Sequence, residues 1–199
     1  MSQVAAADVK ALRERTGAGM MDCKRALEEA QGDMERATEI LRVKGRAQAA
    51  KRTEREAAEG AIECYLHFNR RVGVLVEVGC ETDFVARNEE LIAFARDLAA
   101  HIAHADPRYI AASEVPEEEI ASERRVLEEQ AADQPEQVRE RITEGRLRKW
   151  LEEIVLLDQQ HINSERYGKK TIEELRAELA AKTGENIVIR RFARFAIGS

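Results

Sequence analysis

The residues whose types and spacing best suit a binding site lie in the segment 79–88, which has the sequence GCETDFVARN. Valines at every second position before this segment predict a half-buried strand, and apolar residues at intervals of three and four after it predict an amphipathic helix. Thr82 and Asp83 therefore stand at a strand-to-helix junction. Their short side chains can accept hydrogen bonds from the free N–H groups of a first helical turn, so either residue is a candidate N-cap.

Phe84 follows these candidate caps and belongs to neither apolar face. One interpretation is a hydrophobic staple, in which the ring packs against the first turn of the helix. The other is an exposed aromatic wedge that enters a partner. Periodicity alone favours the staple, because a large exposed aromatic side chain needs a reason.

A second candidate site is the pair His101 and His104, three residues apart on the predicted helix. This spacing could direct two imidazoles at one metal ion. Two histidines are half of a zinc site, however, and the pattern places no third ligand beside them. We therefore expect a solvated or packed helix face and predict no metal and no cofactor.

A third candidate is the glycine-rich turn TGAG at residues 16–19. A phosphate-binding loop would follow a strand and continue into Gly-Lys-Ser/Thr, and neither pattern is found around this turn. We expect instead a turn between two helices, where glycine supplies positive φ and permits close packing.

The sequence carries no signature of covalent catalysis such as Gly-x-Ser-x-Gly or His-Glu-x-x-His, so we predict that the protein is not an enzyme. The three cysteines, Cys23, Cys64 and Cys80, form no close pair and no zinc-knuckle spacing. Neither a signal segment nor a run of about 18 apolar residues is found, which favours a cytoplasmic protein without membrane contact.

Composition favours a helix-rich, well-solvated protein, because 35% of the 199 residues are charged and only 5% are aromatic. The formal net charge of −6 argues against bulk binding to nucleic acid, which needs a basic surface, although it leaves a local basic patch open.

The elements that would position the 79–88 segment predict an α+β fold. Residues 1–45 carry three short helical patterns, the third capped by Asp33, and predict a three-helix module. Residues 46–59 predict a charged, partly helical linker, whose basic residues could touch RNA or an acidic partner but whose glutamates favour a solvated linker. Residues 60–199 predict a core of about three antiparallel strands packed with helices.

The predicted sheet begins with a hairpin. Its first strand has apolar residues at every second position, namely Ile62, Cys64, Leu66 and Phe68. This alternation predicts that Cys64 points into the buried face of the sheet. A last strand over residues 186–195 is expected to pair beside the hairpin, with Ile187, Ile189 and Phe195 on one face.

Residues 76–88, VEVGCETDFVARN, closely resemble the signature of bacterial elongation factor Ts, the nucleotide exchange factor of the GTPase elongation factor Tu. In that family the Thr-Asp-Phe-Val segment intrudes on the GTPase and dislodges its magnesium ion. The resemblance carries this role to Thr82, Asp83, Phe84 and Val85. Arg87 and Asn88, at the first turn of the predicted helix, could orient the segment or contact the partner.

Residues 16–27, TGAGMMDCKRAL, resemble a second signature of the same family. There the N-terminal module resembles a ubiquitin-associated (UBA) domain and docks on the nucleotide-binding domain of the GTPase. Met20 and Met21 are the implied apolar contacts, since methionine adapts to irregular surfaces. Equally, one of them could fill the core of the three-helix module.

The single core copy resembles the short form of the family, whose members are homodimers, joined in our expectation through sheet or helix faces. The implied partners are elongation factor Tu, in its GDP-bound and nucleotide-free states, and a second copy of this chain, with no direct contact to nucleic acid or membrane. The alternative is a helical protein-interaction adaptor without exchange activity, which would explain residues 1–45 but leave 79–88 unexplained.

Overall fold

The computed structural model describes residues 4–198, apart from the side chains of residues 46, 48–50 and 137. Residues 1–3 and 199, which belong to the predicted segments 1–45 and 60–199, lie outside the described part. The helices are α1 Ala6–Thr16, α2 Met20–Glu29, α3 Met34–Arg52, α4 Asp83–Ala86, α5 Glu89–Ala105, α6 Glu117–Gln130, α7 Glu136–Ile154, α8 Ser164–Tyr167 and α9 Ile172–Thr183. The strands are β1 Glu59–Leu66, β2 Val72–Cys80 and β3 Val188–Ala196.

The predicted α+β fold is confirmed: three N-terminal helices precede a three-stranded antiparallel sheet packed with helices, in the strand order β1-β2-β3. The central strand β2 buries Val74, Val76 and Val78 on one face, as its alternating valines predict. No helix within residues 4–198 is both long enough and apolar enough to cross a membrane.

The three N-terminal helices enclose a small core of their own, in which Leu12 and Leu27 are fully buried and alanines allow close approach of the helices. Asp33 caps α3 as predicted, because its carboxylate accepts a hydrogen bond from Arg36 N at 3.0 Å. Helix α3 continues to Arg52, whose guanidinium donates to the carbonyl of Ala180 on α9 at 3.2 Å.

The chain forms two compact units. The first comprises Met1–Ile62, Glu77–Phe94 and Glu174–Ile189, and the second comprises Glu63–Val76, Ala95–Glu173 and Arg190–Ser199. The N-terminal helices, the segment around Phe84 and most of α9 therefore belong to one unit, and the histidines of α5 belong to the other.

The prediction for the face of β1 is wrong. The alternating apolar residues are exposed, Cys64 among them, while Glu63, Tyr65 and His67 are half-buried. Glu63 forms an ion pair with Arg96 of α5 at 3.8 Å, and the hydroxyl of Tyr65 pairs with His67 Nδ1 at 2.9 Å. Alternation shows which residues share a face, but the packing of α5 decides which face is covered.

Strand β3 is unevenly covered along its length. Ile187 and Ile189 are buried, but Phe195 is exposed. The alternation changes phase at Arg190 and Arg191, which are both exposed. Exposure alone does not show that Phe195 has left the face of Ile189, so the shared face stays a prediction, and only the cover over that face is lost along the strand.

The predicted histidine pair is split between the interior and the surface. His101 is buried, its Nε2 pairs with Gln159 Oε1 at 2.9 Å, and its Nδ1 accepts a hydrogen bond from Ile162 N at 3.3 Å. His104 is exposed. Within the described part of the chain, no group of three or more His, Cys, Asp or Glu side chains is arranged to hold an ion.

A second buried histidine, His161, stacks on His101 with 5.3 Å between ring centroids. Its Nδ1 accepts from Asn163 N at 3.0 Å, and its Nε2 lies 3.4 Å from the carbonyl oxygen of Asp97. Because a backbone N–H donates to Nδ1 of each ring, both imidazoles are neutral and carry their hydrogen on Nε2. Burial lowers the pKa of His101 from 6.5 to about 4 and also lowers the pKa of His161.

The buried histidines predict a pH-dependent stability. The unfolded chain protonates His101 below pH 6.5, but the native state does so only near pH 4. The contribution of neutral His101 to the free energy of unfolding should therefore be fully present above pH 6.5. It should be lost as the pH drops to about 4, which lowers the free energy of unfolding by on the order of 3 kcal/mol. Urea unfolding at several pH values should give a shallower acid decline for His101→Gln than for wild type. His104→Gln is the matched control, and parallel curves for wild type and His101→Gln would contradict the prediction.

Candidate functional site

The segment after β2 is a one-turn helix between two caps. Thr82 has extended backbone, with φ −127° and ψ 156°, and its hydroxyl accepts from Val85 N at 3.4 Å as the N-cap of α4. Helix α4 ends before Arg87, and Asn88 then accepts a hydrogen bond from Glu90 N at 2.8 Å in the first turn of α5. The single helix that periodicity predicts is thus interrupted, because the segment contains a second cap.

The staple interpretation of Phe84 is wrong, since 85% of its side chain is exposed. Thr82 and Asp83 are exposed beside it, whereas Val85 is half-buried. A ring held clear of the protein on a short turn is available to a partner, in whose pocket its large apolar surface could be buried.

Asp83 and Arg87 are one helical turn apart and form an exposed ion pair, with 3.3 Å between Asp83 Oδ2 and a guanidinium nitrogen of Arg87. Such surface pairs contribute little to stability. The Asp83 carboxylate can therefore exchange this partner for another at small cost. Asn88 is exposed on the same short stretch.

Cys80 lies directly before this segment but is unsuited to nucleophilic chemistry. Its side chain is buried, and the thiol lies 3.2 Å from the carbonyl oxygen of Thr82, to which it donates. Burial raises the pKa of the Cys80 thiol, which keeps it protonated. It helps to hold the turn rather than reacting.

The structure adds Glu185, which sequence reasoning missed. Its carboxylate Oε2 accepts from Glu81 N at 2.9 Å and from Thr82 N at 3.1 Å, and its Oε1 accepts from the Thr82 hydroxyl at 2.6 Å. Glu185 follows α9, 103 residues beyond Thr82. No local pattern marks such a contact, because it arises only when α9 packs beside the end of β2.

The glycine-rich turn joins α1 and α2, as predicted. Gly17 has φ 69° and ends α1, with its N–H donating to Arg13 O at 2.7 Å. A methyl group at this position would lie 2.7 Å from Lys182 Cγ of α9. The backbone donor of Gly17 is already used, so positive φ and close approach account for this glycine.

Met20 and Met21 form the start of α2 directly after this turn. Their side chains are 47% and 59% exposed, so neither fills the core of the N-terminal helices. The sequence left two interpretations open, an apolar contact surface and a side chain that fills the core. The exposure of both side chains agrees with the contact surface.

The geometry therefore defines an α+β protein that exposes an aromatic turn after the central strand of its sheet and two methionines on its N-terminal helices. The family model described as Elongation factor TS matches residues 2–167. The chain belongs to the elongation factor Ts family, and this membership gives it an elongation factor role in protein biosynthesis.

Individual relatives agree with the family match over nearly the whole chain. Elongation factor Ts of Carboxydothermus hydrogenoformans is 55% identical over 192 residues, which cover 96% of this chain and 87% of the relative. Elongation factor Ts of Rubrobacter xylanophilus is 53% identical, covering 94% of this chain and 95% of the relative. That of Desulfitobacterium hafniense is 50% identical, covering 100% and 91%.

The exposure of Phe84 predicts that its ring contributes little to folding. Phe84→Ala should change the free energy of unfolding by no more than about 0.5 kcal/mol, because no buried contact is removed. Phe94→Ala is the matched comparison: its ring is 9% exposed, so its loss should cost about 3–5 kcal/mol. Urea unfolding of both variants measures this, and comparable losses would restore the staple interpretation.

Proposed function

We propose that this chain is the guanine nucleotide exchange factor of elongation factor Tu. It binds the GDP-bound GTPase, displaces the magnesium ion and promotes release of GDP, so that GTP can bind. The observation that carries the proposal is the Phe84 side chain, 85% exposed beside Asp83 on a turn tied to the core. The factor makes and breaks no covalent bond, has no cofactor and acts in the cytoplasm, where it contacts neither nucleic acid nor membrane.

The mechanism is thermodynamic linkage. A partner that binds the nucleotide-free GTPase more tightly than the GDP-bound form must weaken GDP binding by the same factor. Each tenfold weakening requires about 1.4 kcal/mol of differential contact. Burying most of a phenylalanine side chain supplies about 1.5–3 kcal/mol, provided that its pocket is open only in the nucleotide-free state.

The residues of the turn have different tasks in this mechanism. Phe84 enters the pocket. The Asp83 carboxylate gives up its ion pair with Arg87 and instead perturbs the charge balance around magnesium and phosphate, where the ion is the largest local charge. Thr82 caps α4 and Val85 anchors it, being half-buried. Together, Thr82, Asp83, Phe84 and Val85 form the magnesium-dislocating segment.

Additional contacts flank the turn and lie on the N-terminal helices. Arg87 and Asn88 are exposed directly after α4 and contact the GTPase beside the wedge. Met20 and Met21 give the N-terminal module an adaptable apolar surface for docking on the nucleotide-binding domain. Docking through these methionines contributes affinity for the GTPase in either nucleotide state. The turn contributes the difference in affinity between the nucleotide-free and the GDP-bound GTPase.

A GDP-release assay tests the exchange function. Wild type should accelerate the release of labelled GDP from elongation factor Tu, and Asp83→Ala/Phe84→Ala should slow that release at least tenfold, which corresponds to about 1.4 kcal/mol of lost differential contact. Val126→Ala/Asp133→Ala is the matched control, since it removes an exposed apolar and an exposed acidic side chain elsewhere.

Two outcomes of this assay would count against the proposal. Equal release by wild type and Asp83→Ala/Phe84→Ala would remove both residues from the mechanism and direct attention to Met20 and Met21. No release by wild type, with binding retained, would favour the adaptor without exchange activity.

We also propose a homodimer that covers the outer sheet face, an exposed surface of the second unit formed by Cys64, Leu66, Phe68, Leu75, Phe195 and Ile197. Phe68 is 88% exposed and Phe195 72%. The backbone of Ile197 bonds to Arg71 O at 2.9 Å, so the end of β3 lies beside the hairpin turn. A two-fold axis would pack two such faces as a sheet-on-sheet sandwich.

Sedimentation equilibrium tests the dimer. Wild type should sediment as a dimer, and Leu66→Glu and Phe195→Glu should sediment as monomers with unchanged far-ultraviolet circular dichroism, because each would place a charge in an apolar interface. Val126→Glu is the control, as an exposed apolar residue of α6. Dimers that survive both substitutions would move the interface to a helix face, and a monomeric wild type would contradict the dimer.

A further inference from the structure

We infer that Glu185 is a positioning residue for exchange, which holds the Thr82–Phe84 turn in its projecting conformation through three hydrogen bonds. The inference rests on the proposed exchange function and adds a residue that lies outside both sequence signatures. Glu185 itself is half-buried behind the turn. It acts through Thr82 rather than by touching the nucleotide.

The contacts form a reciprocal clamp between two glutamates. Glu185 accepts hydrogen bonds from the backbone N–H groups of Glu81 and Thr82, at 2.9 and 3.1 Å. In return, Glu81 Oε1 accepts the backbone N–H of Asn186 at 2.6 Å and lies 3.4 Å from a guanidinium nitrogen of Arg55. Hydrogen bonds to ionised carboxylates are about twice as strong as neutral ones, so the clamp is strong for its size.

The far side of the clamp is anchored in the interior. Asn186 is 1% exposed, and its amide donates to Arg55 O at 2.9 Å, which ties the chain after α9 to the segment before β1. Ile187, the next residue, is fully buried. Glu185 therefore connects an exposed turn to a fixed part of the first unit.

The turn needs such an anchor, because its other supports are only the thiol of Cys80, which donates to Thr82 O at 3.2 Å, and the half-buried Val85. Helix α4 has four residues, which is too short to be stable by itself, and its capping bond from Val85 N to Thr82 Oγ1 is long at 3.4 Å. The ring of Phe84 is too exposed to orient the backbone. The direction in which Phe84 projects is thus set upstream, at the backbone of Glu81 and Thr82.

The Thr82 hydroxyl links the clamp to the helix. Its hydrogen is donated to Glu185 Oε1 at 2.6 Å, which leaves its lone pairs for Val85 N. A hydroxyl has one hydrogen to donate, so this arrangement fixes the direction of the cap. Removal of the carboxylate frees the hydroxyl to rotate and leaves two backbone N–H groups without their partner.

GDP-release kinetics with Glu185→Ala and Glu185→Gln test the inference. Glu185→Ala should lower the maximal rate of GDP release from elongation factor Tu about tenfold, as expected for loss of charge-assisted hydrogen bonds, with a smaller effect on the half-saturating concentration. Glu185→Gln keeps one accepting oxygen and an amide that can donate to Thr82, so it should stay within about threefold of wild type. Glu165→Ala, an exposed acid of α8, is the matched control.

A double-mutant cycle separates positioning from a general loss of structure. If Glu185 acts through Asp83 and Phe84, its removal should have no further effect on release in an Asp83→Ala/Phe84→Ala background. Equal effects of Glu185→Ala in the wild-type and Asp83→Ala/Phe84→Ala backgrounds would overturn the inference, as would a release rate for Glu185→Ala equal to that of wild type.

Amide hydrogen exchange tests the clamp without any partner. In the free protein, Glu185→Ala should speed exchange at Glu81 and Thr82 at least tenfold, while amides of α1 and α2 stay unchanged. Unchanged exchange at Glu81 and Thr82 would overturn the inference. Absence of GDP release by wild type would instead contradict the proposed function, and hydrogen exchange would still decide on the clamp.

Discussion

Two backbone N–H groups at the end of β2 impose the constraint on which the exposed turn depends. Where the chain leaves the sheet, Glu81 and Thr82 lose the partners that a neighbouring strand would supply, and backbone donors need new ones. The Glu185 carboxylate accepts both. The turn can therefore project from the protein without relying on contacts of its own exposed side chains.

This arrangement suits a protein that works by binding. A side chain that already packs against its own chain has to give up those contacts before it can enter a partner, whereas Phe84 has few to give up. The backbone hydrogen bonds and the clamp already order the turn in the free protein. Binding to a partner therefore loses less conformational entropy. Asp83 follows the same logic, because its ion pair with Arg87 is exposed and weak.

The buried side chains of Cys80, His101 and His161 make hydrogen bonds that hold neighbouring segments in place. Cys80 is protonated beside a carbonyl oxygen, and His101 and His161 are neutral because backbone N–H groups donate to their Nδ1 atoms.

On the outer sheet face, by contrast, apolar side chains are exposed to solvent. Polar and aromatic residues of β1 are covered by α5, while its alternating apolar residues stay exposed. Such an exposed apolar surface is unfavourable for a chain that stays monomeric in water.

The amino-acid sequence by itself determined the α+β class, the three N-terminal helices, the strand that precedes Thr82 and the turn at Gly17. These features depend on local periodicity, capping and backbone conformation, which neighbouring residues control. Tertiary structure alone decided that Phe84 is exposed, that Cys64 lies on the outer sheet face and that Glu185 accepts hydrogen bonds from Thr82. Each of these depends on which surfaces of distant segments meet, because a repeating pattern shows which residues share a face and packing determines whether that face is covered.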